Sequence, residues 1–404
     1  MNHKKVAILG GGIAGLSTAY FLKKEGFNPI LYEKRSAVGG RFATLEYEGV
    51  YINKGAMMFA PKLNPHFASL IRELGVEHEL IELKKFALQI GDRITGLDSW
   101  SMFRSRLFSL REYMQWLRLN RFIRKLDFRL ESWDPRLQEI HGMSLSEFCV
   151  KRMGYGQKMI DYIVQPFSSF GYIDPEYIAA DHGLFLFAYG DTPVRVPKKG
   201  MAEVAAEIER RLPGVIRKDA KVDRVRKRAD GGFDITIEDR DGRPVTEKAD
   251  YAVFATGQES LKKIAPEITV EVLSTKTRGV IFETRSSEAK KYKKYDVLLF
   301  SKHKNPHGVH GGEMKHLPDG RTIAGMFLYR PDGDIKAVFG EYRELPKVGW
   351  SPAITLIPPG SRTREVETEI PGAFLAGDFY RLPCIESCVF TAKQVTDRIK
   401  KLSV

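Results

Sequence analysis

The sequence predicts an α/β fold of two domains, and three observations carry that prediction. A short apolar run, Val6-Ala7-Ile8-Leu9, ends in Gly10-Gly11-Gly12-Ile13-Ala14-Gly15 and leads into a helical pattern through Ala19, Leu22 and Lys23. A second run, Asn28 to Glu33, closes on an acidic side chain 18 residues after Gly15. Two later runs, 249–257 and 372–378, read as buried strands that end in small residues. At 404 residues the chain has length for two or three domains, each large enough to bury a core.

The first element is strand, glycine turn, helix, which is a Rossmann-like arrangement. Gly10 permits the tight turn, Gly12 lets the backbone approach a pyrophosphate, and Gly15 allows the helix to pack closely on the strand. Ile13 and Ala14 open the helix, whose free N–H groups and dipole favour a phosphate at that end. Gly26 closes the helix. Glu33, at the end of the second strand, can accept hydrogen bonds from a ribose, which favours an unphosphorylated ribose as in FAD or NAD.

The continuation separates these two. Glu33-Lys34-Arg35-Ser36-Ala37-Val38-Gly39-Gly40-Arg41 resembles the segment that follows the dinucleotide fingerprint in the FAD-dependent amine oxidase superfamily. The resemblance implies FAD, with Gly39, Gly40 and Arg41 along its pyrophosphate, where a bidentate guanidinium suits the phosphates. It also implies the fold: a Rossmann-like FAD/NAD(P)-binding domain of a GR2-type flavoprotein with a second, α+β substrate domain.

Later elements extend the resemblance in order. Asn53-Lys54-Gly55-Ala56-Met57-Met58 is similar to the stretch where the family's backbone passes the isoalloxazine ring, with Asn53 replacing an Asp. Pro197-Lys198-Lys199-Gly200-Met201 resembles a Pro-x-Gly-Gly-Met signature, with Lys199 replacing a glycine, and precedes an amphipathic helix, Ala202 to Leu212. Val222 lies on an alternating strand like the one that meets the adenine, and Thr256-Gly257 ends a strand like the one that closes over the adenosine. Gly377-Asp378 ends the last strand, where the family's carboxylate holds the ribityl hydroxyls. The final helix is expected over Ile385 to Leu402. Ile385 should point its N–H at the flavin N1–C2=O edge, where a helix N-terminus stabilises negative charge. Ser387-Cys388 replace the family's Gly-Ala.

The resemblance divides the chain into FAD-binding stretches 1–83, 197–260 and 345–404. The substrate domain takes 84–196, with a helical insertion, and 261–344. Ile163-Val164-Gln165-Pro166-Phe167 and Phe170-Gly171-Tyr172-Ile173-Asp174-Pro175-Glu176 are similar to the substrate domain of the protoporphyrinogen oxidase and phytoene desaturase-like branch. No second GxGxxG appears, which argues against a separate NAD(P)H domain, and no CxxC follows the first, which removes the disulfide reductases.

The expected function is FAD-dependent oxidation or desaturation of a lipophilic or carboxylate-bearing small molecule, by hydride transfer to flavin N5. Such chemistry needs a dry, orienting pocket more than a strong acid or base. Two alternatives stand beside it: an amine or amino-acid oxidase producing hydrogen peroxide, and a non-catalytic flavin-binding partner protein. Cys384 occupies the slot of one of the two amine oxidase aromatic rings, so half of that cage is missing. It reads as a small pocket-lining residue, a site of redox or covalent chemistry, or a buried thiol. Lys276 and Arg278 are the candidates for the family's lysine near N5. The family's covalent-flavin cysteine has no counterpart here, so FAD is expected to be non-covalent. The electron acceptor, oxygen, a quinone or another carrier, stays open.

Composition bounds the partners. Sixty-four Lys+Arg against 51 Asp+Glu leave a charge of +13, which draws the chain to something anionic. Nothing resembles a nucleic-acid-binding module. Arg104 to Arg129 concentrates basic and apolar residues at helical period. An anionic membrane surface is one partner for it, and a core-packed helix with a solvated basic face is the alternative. The three cysteines, Cys149, Cys384 and Cys388, are too few for a disulfide framework. A reducing, cytoplasmic setting follows, with peripheral contact at the inner face of the membrane if the basic stretch binds lipid. Met1 to Lys5 followed by an apolar run imitates a signal peptide, but the glycines of that run belong to the nucleotide turn. His303, His307, His310 and His316 fall among Pro and Gly residues, so they read as a solvated loop and no metal is expected.

Overall fold

The computed structural model describes residues 4–168, 173–238, 242–270, 273–346, 348–350 and 353–403. Phe170, Gly171 and Tyr172 lie outside the described residues. Strand Lys5–Leu9 is the centre of a five-stranded sheet in which every pairing is parallel. Tyr251–Phe254 and Asn28–Tyr32 flank it, and Ala373–Leu375 and Ile216–Arg217 form the edges. A central parallel strand is covered on both faces, so it needs apolar side chains without alternation. Val6 and Ile8 enter a cluster with Leu16, Leu22 and Val395, whereas Ala7 and Leu9 enter another with Val225, Ile235 and Phe254. The first helix, Ile13–Lys24, is buried from Ile13 to Leu22, and Lys23 and Lys24 sit at its C-terminal end, where the dipole favours cations. The terminal helix, Ile385–Leu402, packs along it and spans the residues read from the sequence.

Parallel neighbours need long crossovers, and the excursions between these strands build a second sheet. Its order is Arg343–Glu344, Thr277–Thr284, Thr322–Leu328, Val309–His316, Val297–Phe300, Phe86–Ile90 and Arg93–Gly96. Strand Val348–Trp350 also pairs with the start of Thr277–Thr284, which carries this sheet past the expected boundary at 344. Helices fill much of the chain between Ser99 and Ala188.

Two sequence expectations are corrected. The histidine-rich segment is not all loop: Val309–His316 is a strand that carries His310 and His316. Gly311 and Gly312 are there for close approach, not for a turn. A Cβ would lie 2.4 Å from the Leu298 carbonyl oxygen at Gly311 and 1.8 Å from that of Gly325 at Gly312. The basic stretch is likewise not one helix. Ser99–Arg104 ends before Arg106, which holds a left-handed φ of 51°, and a new helix runs from Leu110 to Ile123. Ser109 and Glu112 form a reciprocal capping box at its start, which defines a fresh N-terminus.

Helix Ala180–Ala188 carries a fully enclosed histidine with a measurable consequence. Burial pushes His182 down to about 4, against an opposing pull from Asp181, and its Nδ1 has no hydrogen-bond partner among the described residues. The unfolded chain, with an ordinary value of 6.5, binds more protons than the folded chain between those limits. Stability therefore falls as pH drops through that window. This group accounts for about 2 kcal/mol of loss between about pH 7 and pH 5. Urea midpoints at both pH values should show a shallower loss in His182→Phe; an equal loss in both proteins would refute the assignment.

Candidate functional site

The glycine turn and the second strand lock together through one carboxylate. Gly10 holds a φ of 110° under the Ala255 carbonyl, which leaves no room for a side chain. Gly15 packs so that a Cβ would lie 2.0 Å from the Gly10 carbonyl oxygen, which is why it lies outside the cavity while Gly10, Gly12, Ile13 and Ala14 line it. Glu33 is 9% exposed; it accepts N–H bonds from Gly11 at 2.7 Å and Arg35 at 2.9 Å. Gly39, with φ 108°, donates its N–H to the Gly11 carbonyl at 2.7 Å and turns Gly40 and Arg41 toward the same space. Gly12 is different from its neighbours: a Cβ there would meet nothing within 4 Å. Its backbone faces open room at a helix N-terminus, which is the cradle a pyrophosphate needs.

The surrounding cavity is about 900 Å³, within the range of ligand and cofactor sites. Lys34, Arg35, Val222, Thr256 and Gly257 line it around the Glu33 end; Ala56, Met57, Met58, Gly377, Asp378, Cys384 and Ile385 also line it. Arg41 reaches across to Asp378, with Nη1 2.7 Å from Oδ2 and 2.7 Å from the Ala353 carbonyl. Burial pushes the Asp378 carboxyl up, but the Arg41 charge and hydrogen bond outweigh it and hold it below the usual range. The Asp378 charge in turn holds Arg41 protonated. Gly55 permits the turn behind Arg41, because a Cβ would lie 2.2 Å from the Arg41 carbonyl oxygen.

Asn53, the departure from the family's Asp, is a buried brace. It accepts from Met201 N–H at 2.8 Å, faces the Thr44 hydroxyl, and is bonded to Glu313 of the second sheet. Burial pushes the Glu313 carboxyl up. Gly200, at φ 79°, is required beside this brace, where a Cβ would lie 2.5 Å from Thr44 Cγ2.

The terminal helix begins at the cavity wall. Cys384 is its N-cap, with no side-chain cap bond, and Cys384 and Ile385 at this end line the cavity. Burial pushes the Cys384 thiol up to about 12, and burial also raises Cys388 far above the usual thiol range. Both are free thiols and stay protonated, which makes Cys384 a small, soft lining group.

Lys276 and Arg278 are exposed and do not line the cavity; Thr277 between them does. Successive strand residues point to opposite faces, so choosing between positions two apart never tested the residue between them. Further wall comes from Phe86, Leu97, Phe167, Phe185, Tyr189 and Phe327, of which only Phe167 falls in a segment named from the sequence. Phe185 and Tyr189 are one helical turn apart with rings edge to face at 5.4 Å, so the i, i+4 aromatic spacing was the available signal. Tyr189 donates its hydroxyl to Asn64 Oδ1 at 2.8 Å.

A second cavity, about 490 Å³, lies between helix Ser99–Arg104 and helix Leu110–Ile123, lined by Phe103, Phe108, Leu110 and Tyr113 with Arg104 and Arg106.

A family model described as flavin containing amine oxidoreductase matches residues 13–280. The chain is 27% identical over 185 residues to protoporphyrinogen oxidase 2, chloroplastic/mitochondrial, of Arabidopsis thaliana, covering 44% of this chain and 35% of that protein. It is 39% identical over 80 residues to the 4,4'-diapolycopen-4-al dehydrogenase of Metabacillus indicus, covering 20% of this chain and 16% of that protein. The matched stretches thus span about a third or less of these curated relatives. Among solved structures, the cyclohexylamine oxidase from Brevibacterium oxydans IH-35A superposes with a TM-score of 0.74 at 14% identity, covering 100% of both chains.

Proposed function

Because the chain belongs to the flavin-containing amine oxidoreductase family, we propose that it binds FAD non-covalently and oxidises or desaturates an uncharged, lipophilic small molecule. FAD, when bound, supplies the hydride acceptor. Gly12 and the first N–H groups of helix Ile13–Lys24 would receive its pyrophosphate, Glu33 its ribose, and Arg41 and Asp378 its central portion.

The distribution of charge around the cavity carries the substrate half of this reading. Glu33, Lys34, Arg35, Arg41, Lys221, Asp223, Glu259, Lys263 and Asp378 are its charged lining residues; all but Lys263 lie in the stretches expected to bind the nucleotide, and Lys263 lies on helix Gln258–Ile264, which begins in one of them. The wall from Phe86, Leu97, Phe167, Phe185, Tyr189, Thr277 and Phe327 carries no charge among the described residues. A carboxylate or ammonium entering there would lose its hydration and meet no counter-charge. An apolar donor loses nothing, and the same rings exclude water from it.

The test is anaerobic mixing of the FAD-loaded chain with neutral lipophiles, carboxylate-bearing amphiphiles and amines. Neutral lipophiles should bleach the visible flavin band. Bleaching by amines alone, with peroxide on readmitting air, would make it an amine oxidase; no bleaching by any donor would make it a flavin-binding partner protein. Of the three cysteines, only Cys384 and Cys388 line the cavity, and both are held as thiols. Acid precipitation should therefore release the flavin, and flavin retained in the pellet would refute the non-covalent link.

The same proposal includes an anionic membrane surface. Trp100 is 65% exposed and Leu110 71%, and Phe103 and Met114 stand exposed beside them. Arg104, Arg106, Arg111, Arg118 and Arg121 are exposed around them, while Arg124 and Arg129 are taken up by Asp191 and Asp127. Buried Trp116, Leu119 and Ile123 anchor the opposite helix face in the core. No helix among the described residues is long and apolar enough to cross a membrane. Trp100→Ser combined with Leu110→Ser should cut co-sedimentation with phosphatidylglycerol vesicles by about a hundredfold, the effect of withdrawing about 3 kcal/mol of apolar contact. Background binding of the unmodified chain to those vesicles would remove the membrane from the proposal.

A further inference from the structure

Glu386 is a buried charge that the proposed chemistry does not use. Its side chain is 1% exposed, in the first turn of the terminal helix, directly after the cavity-lining Cys384 and Ile385. It accepts the backbone N–H of His66 at 2.9 Å and of Phe67 at 3.1 Å, so it also caps helix Pro65–Glu73. Two helix N-termini thus share one carboxylate, an arrangement their dipoles favour.

The carboxylate is in turn held by a histidine. His66 Nδ1 lies 2.5 Å from Glu386 Oε1, and its Nε2 lies 2.7 Å from Oε1 of Glu131, which is half exposed. Each ring nitrogen of His66 thus faces a carboxyl oxygen, so the ring links buried Glu386 to Glu131 at the surface. The Phe390 ring packs against it at 5.2 Å.

We propose that Glu386 and His66 set the electrostatic potential at the cavity-facing end of the terminal helix, and so set how readily a bound flavin accepts electrons. Alone, the Glu386 charge would cancel the positive end of the helix that faces the cavity. The Glu386 hydrogen bonds to the His66 ring and to the N-terminus of helix Pro65–Glu73 draw that charge away from the cavity and leave the helix end effective toward the flavin. Both act as positioning residues through the helix. The inference rests on the FAD reading above.

The experiment is the flavin reduction equilibrium against a reference dye, measured on FAD-loaded wild type, His66→Gln, Glu386→Gln and the double variant. His66→Gln removes the ring hydrogen bond from the Glu386 carboxyl group and should shift the equilibrium about tenfold toward oxidised flavin, about 30 mV for a two-electron couple. Glu386→Gln, whose single amide oxygen takes over one of the two backbone N–H bonds, should lie at or above wild type. The double variant should return to within about twofold of wild type. A histidine that only supports the fold would not produce a loss that a second substitution reverses. If Glu386→Gln does not fold, the His66→Gln shift still decides. Unchanged equilibria in variants that hold FAD would overturn this inference alone; a wild-type chain that takes up no FAD would overturn the cofactor reading, and this inference with it.

Discussion

Gly12→Val is expected to leave the fold standing while removing FAD from it. The backbone at Gly12 has φ −72° and ψ 176°, an extended conformation that valine adopts readily. No atom lies within 4 Å of where its Cβ would be, so the first side-chain carbon meets nothing in the folded chain. The cost to stability is the weaker N-cap alone, about 1 kcal/mol. The isopropyl group would instead occupy the space where the backbone meets a pyrophosphate. Each charge-assisted N–H bond lost there is worth about 1.5–3 kcal/mol, so the loss of two should lower FAD affinity by about a hundredfold or more. Gly15→Ala provides the contrast. Its Cβ would stand 2.0 Å from the Gly10 carbonyl oxygen, so helix and strand must separate, at about 3 kcal/mol. Urea midpoints and FAD titrations should therefore split the two variants. Normal FAD binding by Gly12→Val would refute the placement of the cradle.

Arg41→Ala is the second large effect, and it acts on both stability and cofactor. Asp378 is paired to Arg41 within the cavity, and its charge is tolerated there because of that pair. Removing the guanidinium strands the carboxylate. A wholly enclosed pair broken in this way costs about 3–5 kcal/mol, and the solvent reaching this cavity lowers the expectation to about 2–3 kcal/mol. Adding Asp378→Asn to Arg41→Ala should recover most of that stability without recovering FAD. The measurement is the urea midpoint of the three apo proteins beside their FAD affinities. An additive loss in the double variant, in place of recovery, would show that the two side chains do not act as a pair.

What could be read from the chain alone divides along a physical line. The glycine turn was legible because its requirements are local. A positive φ at Gly10 and Gly39, close packing at Gly15 and an acidic group ending the second strand each leave a residue type at a fixed spacing. The strand at 5–9 was legible because burial on both faces removes alternation, and the terminal helix because its apolar period is long. The basic stretch was legible in composition but not in shape. Its division depends on one left-handed residue and one capping box, which helical period does not register.

The substrate wall was beyond the sequence. Phe86, Phe167, Tyr189, Thr277 and Phe327 are brought together by the order and register of the second sheet and by helices packed on it. No short-range rule links residues so far apart. The same register decided that Thr277 faces the cavity and Lys276 and Arg278 do not, since one residue of slip reverses every face. It also decided that Gly311 and Gly312 serve a strand crossing too close for side chains. The sequence by itself determined an α/β chain of a flavin-containing family with a glycine turn between its first strand and helix, because turns and caps are made by neighbours. Only the tertiary structure decided that the chamber beside that cradle is aromatic and uncharged, because its walls are assembled from residues whose proximity the fold alone creates.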